Sequence, residues 1–326
     1  MKRIILFALI FAMLLPCLFG CAQNKIDEKI NIVCTIFPLY DWVKSIVGDS
    51  DKVEVSLLIQ NGSDPHSYQP TASDIVTISN CDMIVYIGAE SDVWVSDALA
   101  RANNEDTKKV AVSHIKGLTL HNISSASHSH GEHSGHHHGD NDNAFDEHLW
   151  LSLKNAAAAT EYLSEKICEL DSDNADIYKR NAGQYKNKLL DLDRRYAQAI
   201  ESVSDSHPFI LFADRFPFVY LLEDYGVDYA AAFEGCTTDV DAGFDTVLRL
   251  IKEADSHKIS HIAVTESSDK ALARTVADSA RGDIEIVVMN SLQSVTAKQL
   301  SKGYSYLSEM ENNLKAMKIA LDIKGE

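Results

Sequence analysis

Thirteen histidines lie along this 326-residue chain, and two of them stand where an imidazole would be held in place. His66 sits in Gly62-Ser63-Asp64-Pro65-His66-Ser67-Tyr68-Gln69-Pro70. Pro65 and Pro70 pre-set the backbone on either side of it. His148 sits in Asp146-Glu147-His148-Leu149-Trp150-Leu151, where a neighbouring carboxylate can accept the second ring N–H and fix the tautomer, as metal-bound imidazoles require. Each has a plainer reading, His66 as part of a surface turn and His148 as an exposed residue among helix N-terminal acids. Six further histidines, His128, His130, His133, His136, His137 and His138, crowd a short stretch of Ser, Gly and Asp. Imidazoles that are largely neutral at pH 7 bind zinc, copper or nickel. On a flexible tract they bind loosely, which suits collection and hand-over better than storage.

These residues must be positioned by something, and from residue 30 onward strand and helix alternate. Residues 30–37 form a nearly continuous apolar run, as a parallel strand buried on both faces requires. Strands are also expected at 53–59, 81–87, 109–113, 208–213, 228–233, 259–265 and 284–289. Helices are expected at 39–47, from near Thr71, and at 94–102, 151–170, 217–225, 245–254, 270–280 and 304–323. A helix starting near Asp173 and running towards Val203 carries Ile177, Tyr185, Leu189, Leu192, Tyr196 and Ile200 at helical intervals. It is long enough to join two lobes. The fold class is therefore α/β, with two lobes of mostly parallel sheet flanked by helices and bridged by one long helix. The expected division is a first lobe over 30–172, the bridging helix over 173–205 and a second lobe over 206–326, each lobe with its own core. Residues 123–143 interrupt the first lobe as a loop too polar to order itself. His66 follows the second strand, and ligands of open α/β sheets collect at the carboxyl ends of strands.

Asp64-Pro65-His66-Ser67-Tyr68-Gln69-Pro70 and Asp146-Glu147-His148-Leu149-Trp150-Leu151-Ser152 resemble the paired signatures of the zinc- and manganese-specific solute-binding proteins of bacterial ABC importers, the ZnuA-like group. The resemblance runs from about residue 30 to the C-terminus and includes the order of elements and a His-rich insertion before the second signature. It implies two α/β lobes joined by a long helix, with a metal in the cleft between them. His66 and His148 become direct ligands from the first lobe. It further implies Zn2+ as cargo, with Mn2+ or iron(II) as the rival, the permease of a metal ABC importer as partner, and a monomer. The second lobe departs from the pattern, because Ala213 and Asn290 stand where the family carries a His or Glu and an Asp. Glu266, Asp214, Cys236 and Glu234, all near strand ends, are the candidates to complete the site. A water in the last position is the further option.

At the N-terminus, Lys2 and Arg3 precede an apolar run too short to span a bilayer. Leu18-Phe19-Gly20-Cys21 follows and resembles a lipobox, with residues 1–20 as signal peptide, acylated Cys21 as the bilayer anchor and 21–29 as tether. The formal net charge of −18 argues against nucleic acid, which demands clustered Lys and Arg. Cys34, Cys81, Cys168 and Cys236 form no Cys-x-x-Cys pair, and sequence does not rank their pairings. No His-Glu-x-x-His is present, so a zinc hydrolase, which needs a general base beside an open metal position, is disfavoured. A surface adhesin remains a rival of a different class.

Overall fold

In β1, Ile30–Cys34, the last three residues are buried on both faces of the strand, the consequence of an apolar residue at almost every position. The structure, a computed structural model, describes residues 29–101, 106–122, 145–203, 207–233 and 242–323. The signal segment and Cys21, the six loop histidines, Glu234 and Cys236 lie outside the described residues. The first lobe continues through α1 (Phe37–Val47), β2 (Val53–Leu57), α2 (Ala72–Ser79), β3 (Met83–Tyr86), α3 (Val93–Ala100) and β4 (Lys108–Ala111). Two long helices follow, α4 (Leu153–Leu170) and α5 (Ala175–Glu201). The second lobe comprises β5 (Phe209–Phe212), α6 (Val219–Glu223), β6 (Asp228–Ala231), α7 (Phe244–His257), β7 (His261–Thr265), α8 (Ala271–Ser279), β8 (Glu285–Met289), α9 (Ala297–Ser301) and α10 (Tyr306–Ala320).

Both sheets are wholly parallel, in the orders β2-β1-β3-β4 and β6-β5-β7-β8. In each, the connections diverge to either side of the first strand, which creates the switch-point crevice at the carboxyl ends where ligands settle. Gly88 closes β3 with φ +82°, and a Cβ there would meet the Ala111 Cβ at 2.8 Å. Only glycine lets β3 end so close to β4.

The lobes do not keep separate cores. Alternation along β5 sends Ile210 and Phe212 into a core continuous with Trp42, Trp150 and Tyr196 of the first lobe and its helices. Leu211 and Ala213 point the other way, into a smaller core with Leu250, Ile262 and Val276. The expectation of one core per lobe is thus corrected. Residues 209–213 are apolar throughout, so the sheet buries both faces, and its inner face is covered by the first lobe.

The long helix spans 27 residues, roughly 40 Å at 1.5 Å each. It lies along α4 and α1 and also touches α10. Its buried stripe is Tyr178, Ala182, Tyr185, Leu189, Leu192, Tyr196 and Ala199. Ile177, expected inside, is 40% exposed, because the neighbouring Tyr178 takes the inward place and donates to Asp171 at 2.6 Å.

Candidate metal centre

His66 is carried by a short 3-10 turn, Pro65–Ser67, whose first N–H groups are met by Asp64, with Oδ1 accepting from the His66 backbone N at 3.0 Å. The turn is tied down on its far side by a capping box at Thr71 and Asp74, and the Tyr68 hydroxyl donates to Asp74 at 2.7 Å. His148 precedes another 3-10 turn, Leu149–Leu151, and is 2% exposed. The second lobe clamps this segment. Tyr220 donates its hydroxyl to the Asp146 carbonyl at 2.5 Å, and the Trp150 indole N–H donates to the Ser291 carbonyl at 2.9 Å. Tyr306 donates to the Trp150 carbonyl at 2.5 Å, and Ser152 to Asp224 at 2.6 Å.

The two imidazoles meet. Their Nε2 atoms are 3.3 Å apart, and each Nδ1 is turned to a carboxylate, His148 to Asp146 at 2.8 Å and His66 to Glu147 at 3.2 Å. A carboxylate accepting from Nδ1–H leaves the lone pair on Nε2. Two such lone pairs facing each other repel unless a cation lies between them. Two nitrogens bound to one tetrahedral zinc at 2.0–2.1 Å are about 3.3 Å apart, which is the separation found. The residues therefore fit a tetrahedral divalent ion.

The acids divide the work. Asp146 serves His148, its neighbour in sequence, whereas Glu147 reaches back to His66 and also accepts from the Ser91 hydroxyl. Burial works to raise the Glu147 carboxyl, but hydrogen bonds from His66 and Ser91 outweigh it and hold the group below its ordinary range. Next to Ser91, the buried Asp92 carboxylate accepts from the Ile87 and Gly88 backbone N–H groups at 2.5 and 3.1 Å.

Among the described residues, the second lobe reaches the pair through Gln293. The Gln293 side-chain Nε2 lies 3.2 Å from His66 Nε2. The proline-framed His66 loop and the Asn290–Gln293 turn face each other across the cleft, with Gly62 N donating to the Val295 carbonyl at 3.2 Å. Sequence reasoning passed over Gln293. Its signal was its place three residues beyond Asn290, in the loop that closes β8.

The expected second-lobe residues take other places. Ala213 is buried in the smaller core. Asn290 faces away from the histidines, its amide donating to Tyr304 and Glu309 at 2.8 and 3.0 Å. Asp214 accepts from the Thr265 backbone N and hydroxyl at 2.9 and 2.6 Å. Glu266 accepts from the Ser291 N and hydroxyl at 2.8 and 2.7 Å, and burial raises its pKa despite those donors. Glu266 and Gln293 share a polar interlobe cavity of about 160 Å³ with Asp64 and Arg215, which pair across the cleft at 3.0 Å. Among the described residues, no group of three or more His, Cys, Asp or Glu converges as a metal cage. Cys34 and Cys168 are free thiols, and burial raises Cys34 far above its ordinary range and Cys81 to about 12.

Known proteins share this sequence pattern and fold. The family model for the zinc-uptake complex component A, periplasmic, called ZnuA, matches residues 32–320. The zinc-binding lipoprotein AdcA of Streptococcus pneumoniae is 32% identical over 310 residues, covering 94% of this chain. The chain spans 59% of that relative's length. The high-affinity zinc uptake system protein ZnuA of Bacillus subtilis is 29% identical over 305 residues, covering 94% of this chain and 91% of that protein. The crystal structure of the Zn(II)-bound ZnuA-like domain of Streptococcus pneumoniae AdcA superposes with a TM-score of 0.71 at 28% identity, covering 90% of this chain and all of that one.

Proposed function

The chain belongs to the ZnuA family of zinc-uptake components, and from that membership we propose that it captures Zn2+ between its lobes and delivers it to the membrane permease of an ABC importer. The observation that carries this reading is the pair of Nε2 atoms 3.3 Å apart, each ring held through Nδ1 by a carboxylate, buried at Asp146 and half-buried at Glu147. Such a pair is preorganised for one ion, so little side-chain entropy is lost on capture. Asp146 and Glu147 supply negative charge one step behind the ligands and raise the basicity of both rings. The zinc-uptake role of the Bacillus subtilis relative, covered almost end to end, supports the same cargo. We assign the chain no catalytic step.

The shared core and the four hydrogen bonds that clamp residues 146–152 to the second lobe favour small adjustments over wide hinge opening. Release then follows when the permease displaces the facing loops, 60–70 and 290–295, from one another. The lipobox-like Leu18-Phe19-Gly20-Cys21 supports acylation of Cys21 and a chain tethered outside the cell membrane. Among the described residues no helix is long and apolar enough to cross a membrane. Glu266, Asp214, Glu234 and Cys236 remain the acids and thiol available to a rearranged site. Mn2+ is the cargo to be tested beside Zn2+.

The test is metal content. The domain from residue 22 onward is stripped, reloaded with equimolar Zn2+ and Mn2+ and desalted, beside the variant His66→Ala/His148→Ala. One retained zinc that the double substitution abolishes supports the reading. Tight zinc retained by the double variant would sink it.

A further inference from the structure

Gln293 places a neutral amide where a divalent ion would meet the second lobe. The Asn290–Gln293 turn that presents it is pinned at every residue. Asn313 accepts from the Asn290 N at 2.7 Å and donates to its carbonyl at 2.8 Å. Asn290 Oδ1 accepts from the Leu292 N at 2.9 Å, and Leu292 takes a left-handed φ of 58°. Ser291 is held by Glu266, and its hydroxyl accepts from the Gln293 N at 3.3 Å. A turn fixed this firmly, strained at a non-glycine residue, aims one side chain at one place. That side chain ends 3.2 Å from His66 Nε2, about the separation of two donors on one tetrahedral ion.

With Nδ1–H given to Glu147, the His66 Nε2 lone pair accepts from the Gln293 amide NH2. Rotation of the amide by half a turn brings its carbonyl oxygen to the same point, now as an electron-pair donor to a metal. The same residue can therefore hold the imidazole in its metal-ready tautomer and then ligate the ion.

We propose that Gln293 is the second-lobe ligand and that its neutral amide sets metal selectivity and the ease of release. The inference rests on the cleft reading above. Two imidazoles and one amide oxygen bring no charge into contact with the ion. Hard cations such as Mn2+ and Mg2+ draw their affinity from carboxylates, whereas zinc, copper and nickel bind imidazole well. A neutral set thus rejects Mn2+ more strongly than Zn2+, and it holds Zn2+ less tightly than an acid in the same place. Both Asp146 and Glu147 keep their charge one step away, which attracts cations without discriminating among them.

The experiment measures Zn2+ and Mn2+ affinity by chelator competition, with Co2+ absorption as an independent readout of coordination. The proteins are the wild type, Gln293→Glu, Gln293→Ala and His66→Ala/His148→Ala, each checked for folding by thermal melt. Gln293→Glu, which keeps size and shape, is expected to tighten Zn2+ at least tenfold and Mn2+ by a larger factor, narrowing the gap between them. Gln293→Ala is expected to weaken Zn2+ roughly tenfold and to change the Co2+ spectrum. If both Gln293 variants stay within twofold of wild type while the double histidine variant loses metal, the cleft reading stands and this inference is overturned. If the Glu variant tightens neither ion, or favours Zn2+ more, the selectivity claim is overturned. Tight metal in the double histidine variant would instead overturn the cleft reading itself.

Discussion

Asp41 offers a quantitative test of how the lobes are joined. It lies on α1, where its carboxylate accepts from the Tyr185 hydroxyl of the long helix at 2.8 Å and from the Tyr306 backbone N of the last helix. Burial raises its pKa from 3.8 to about 6, although both hydrogen bonds oppose the shift. The folded state therefore binds this proton more tightly than the unfolded state. Its contribution favours folding below pH 4 and is lost as pH rises towards 6. A shift of about two units is worth ~3 kcal/mol in all, of which ~2 kcal/mol falls between pH 4.5 and pH 7.5. Asp41→Asn removes the titration while keeping an oxygen for Tyr185. Urea unfolding of metal-stripped wild type and variant at several pH values then gives the difference in stability. Asp92, raised to about 6 by the same burial, is present in both proteins and cancels. The variant should gain on wild type by ~2 kcal/mol between pH 4.5 and 7.5. A difference that stays flat with pH would refute the burial of a charged group at this junction.

Asp146→Ala should weaken zinc retention by roughly 10- to 100-fold, read by competition with a chromophoric chelator. Unchanged affinity would mean the His148 tautomer needs no carboxylate. Tyr306→Phe leaves the buried Trp150 carbonyl without its 2.5 Å donor and should cost about 1–3 kcal/mol in denaturant unfolding, a value near zero contradicting the clamp described for residues 146–152. Deleting residues 127–139 should remove loosely held metal while leaving one tightly bound zinc. Loss of the tight ion with the deletion would place the main site in the histidine tract.

The alternation of apolar runs and helical stretches made both sheets and nearly every long helix legible, because parallel strands buried on two faces leave continuous apolar text. Helix ends were read to within a few residues, and short elements such as α9 and the 3-10 turns carried too little periodicity to notice. The shared core was hidden. Alternation along 209–213 is masked when every residue is apolar, and only the structure reveals that Phe212 faces the first lobe while Ala213 does not. The same applies to Ile177 and Tyr178, adjacent apolar residues between which periodicity chose the wrong one. The histidines were legible from their proline and acidic surroundings, as was a neighbouring carboxylate for His148, but the partner of His66 was not. Glu147 adjoins His148 yet serves His66, a pairing across 81 positions (147 − 66) that no local pattern encodes. Gln293 escaped notice because an amide is an unremarked residue type in a loop, and its meaning comes from the turn that aims it.

Anomalous X-ray scattering at the zinc edge, from crystals of the loop-deleted domain loaded with one equivalent of Zn2+, addresses the central claim most directly. The account predicts a single peak about 2.0–2.1 Å from both His66 Nε2 and His148 Nε2, with the Gln293 amide oxygen among the remaining donors. A peak bound to other residues, or no ordered peak at one equivalent, would contradict it.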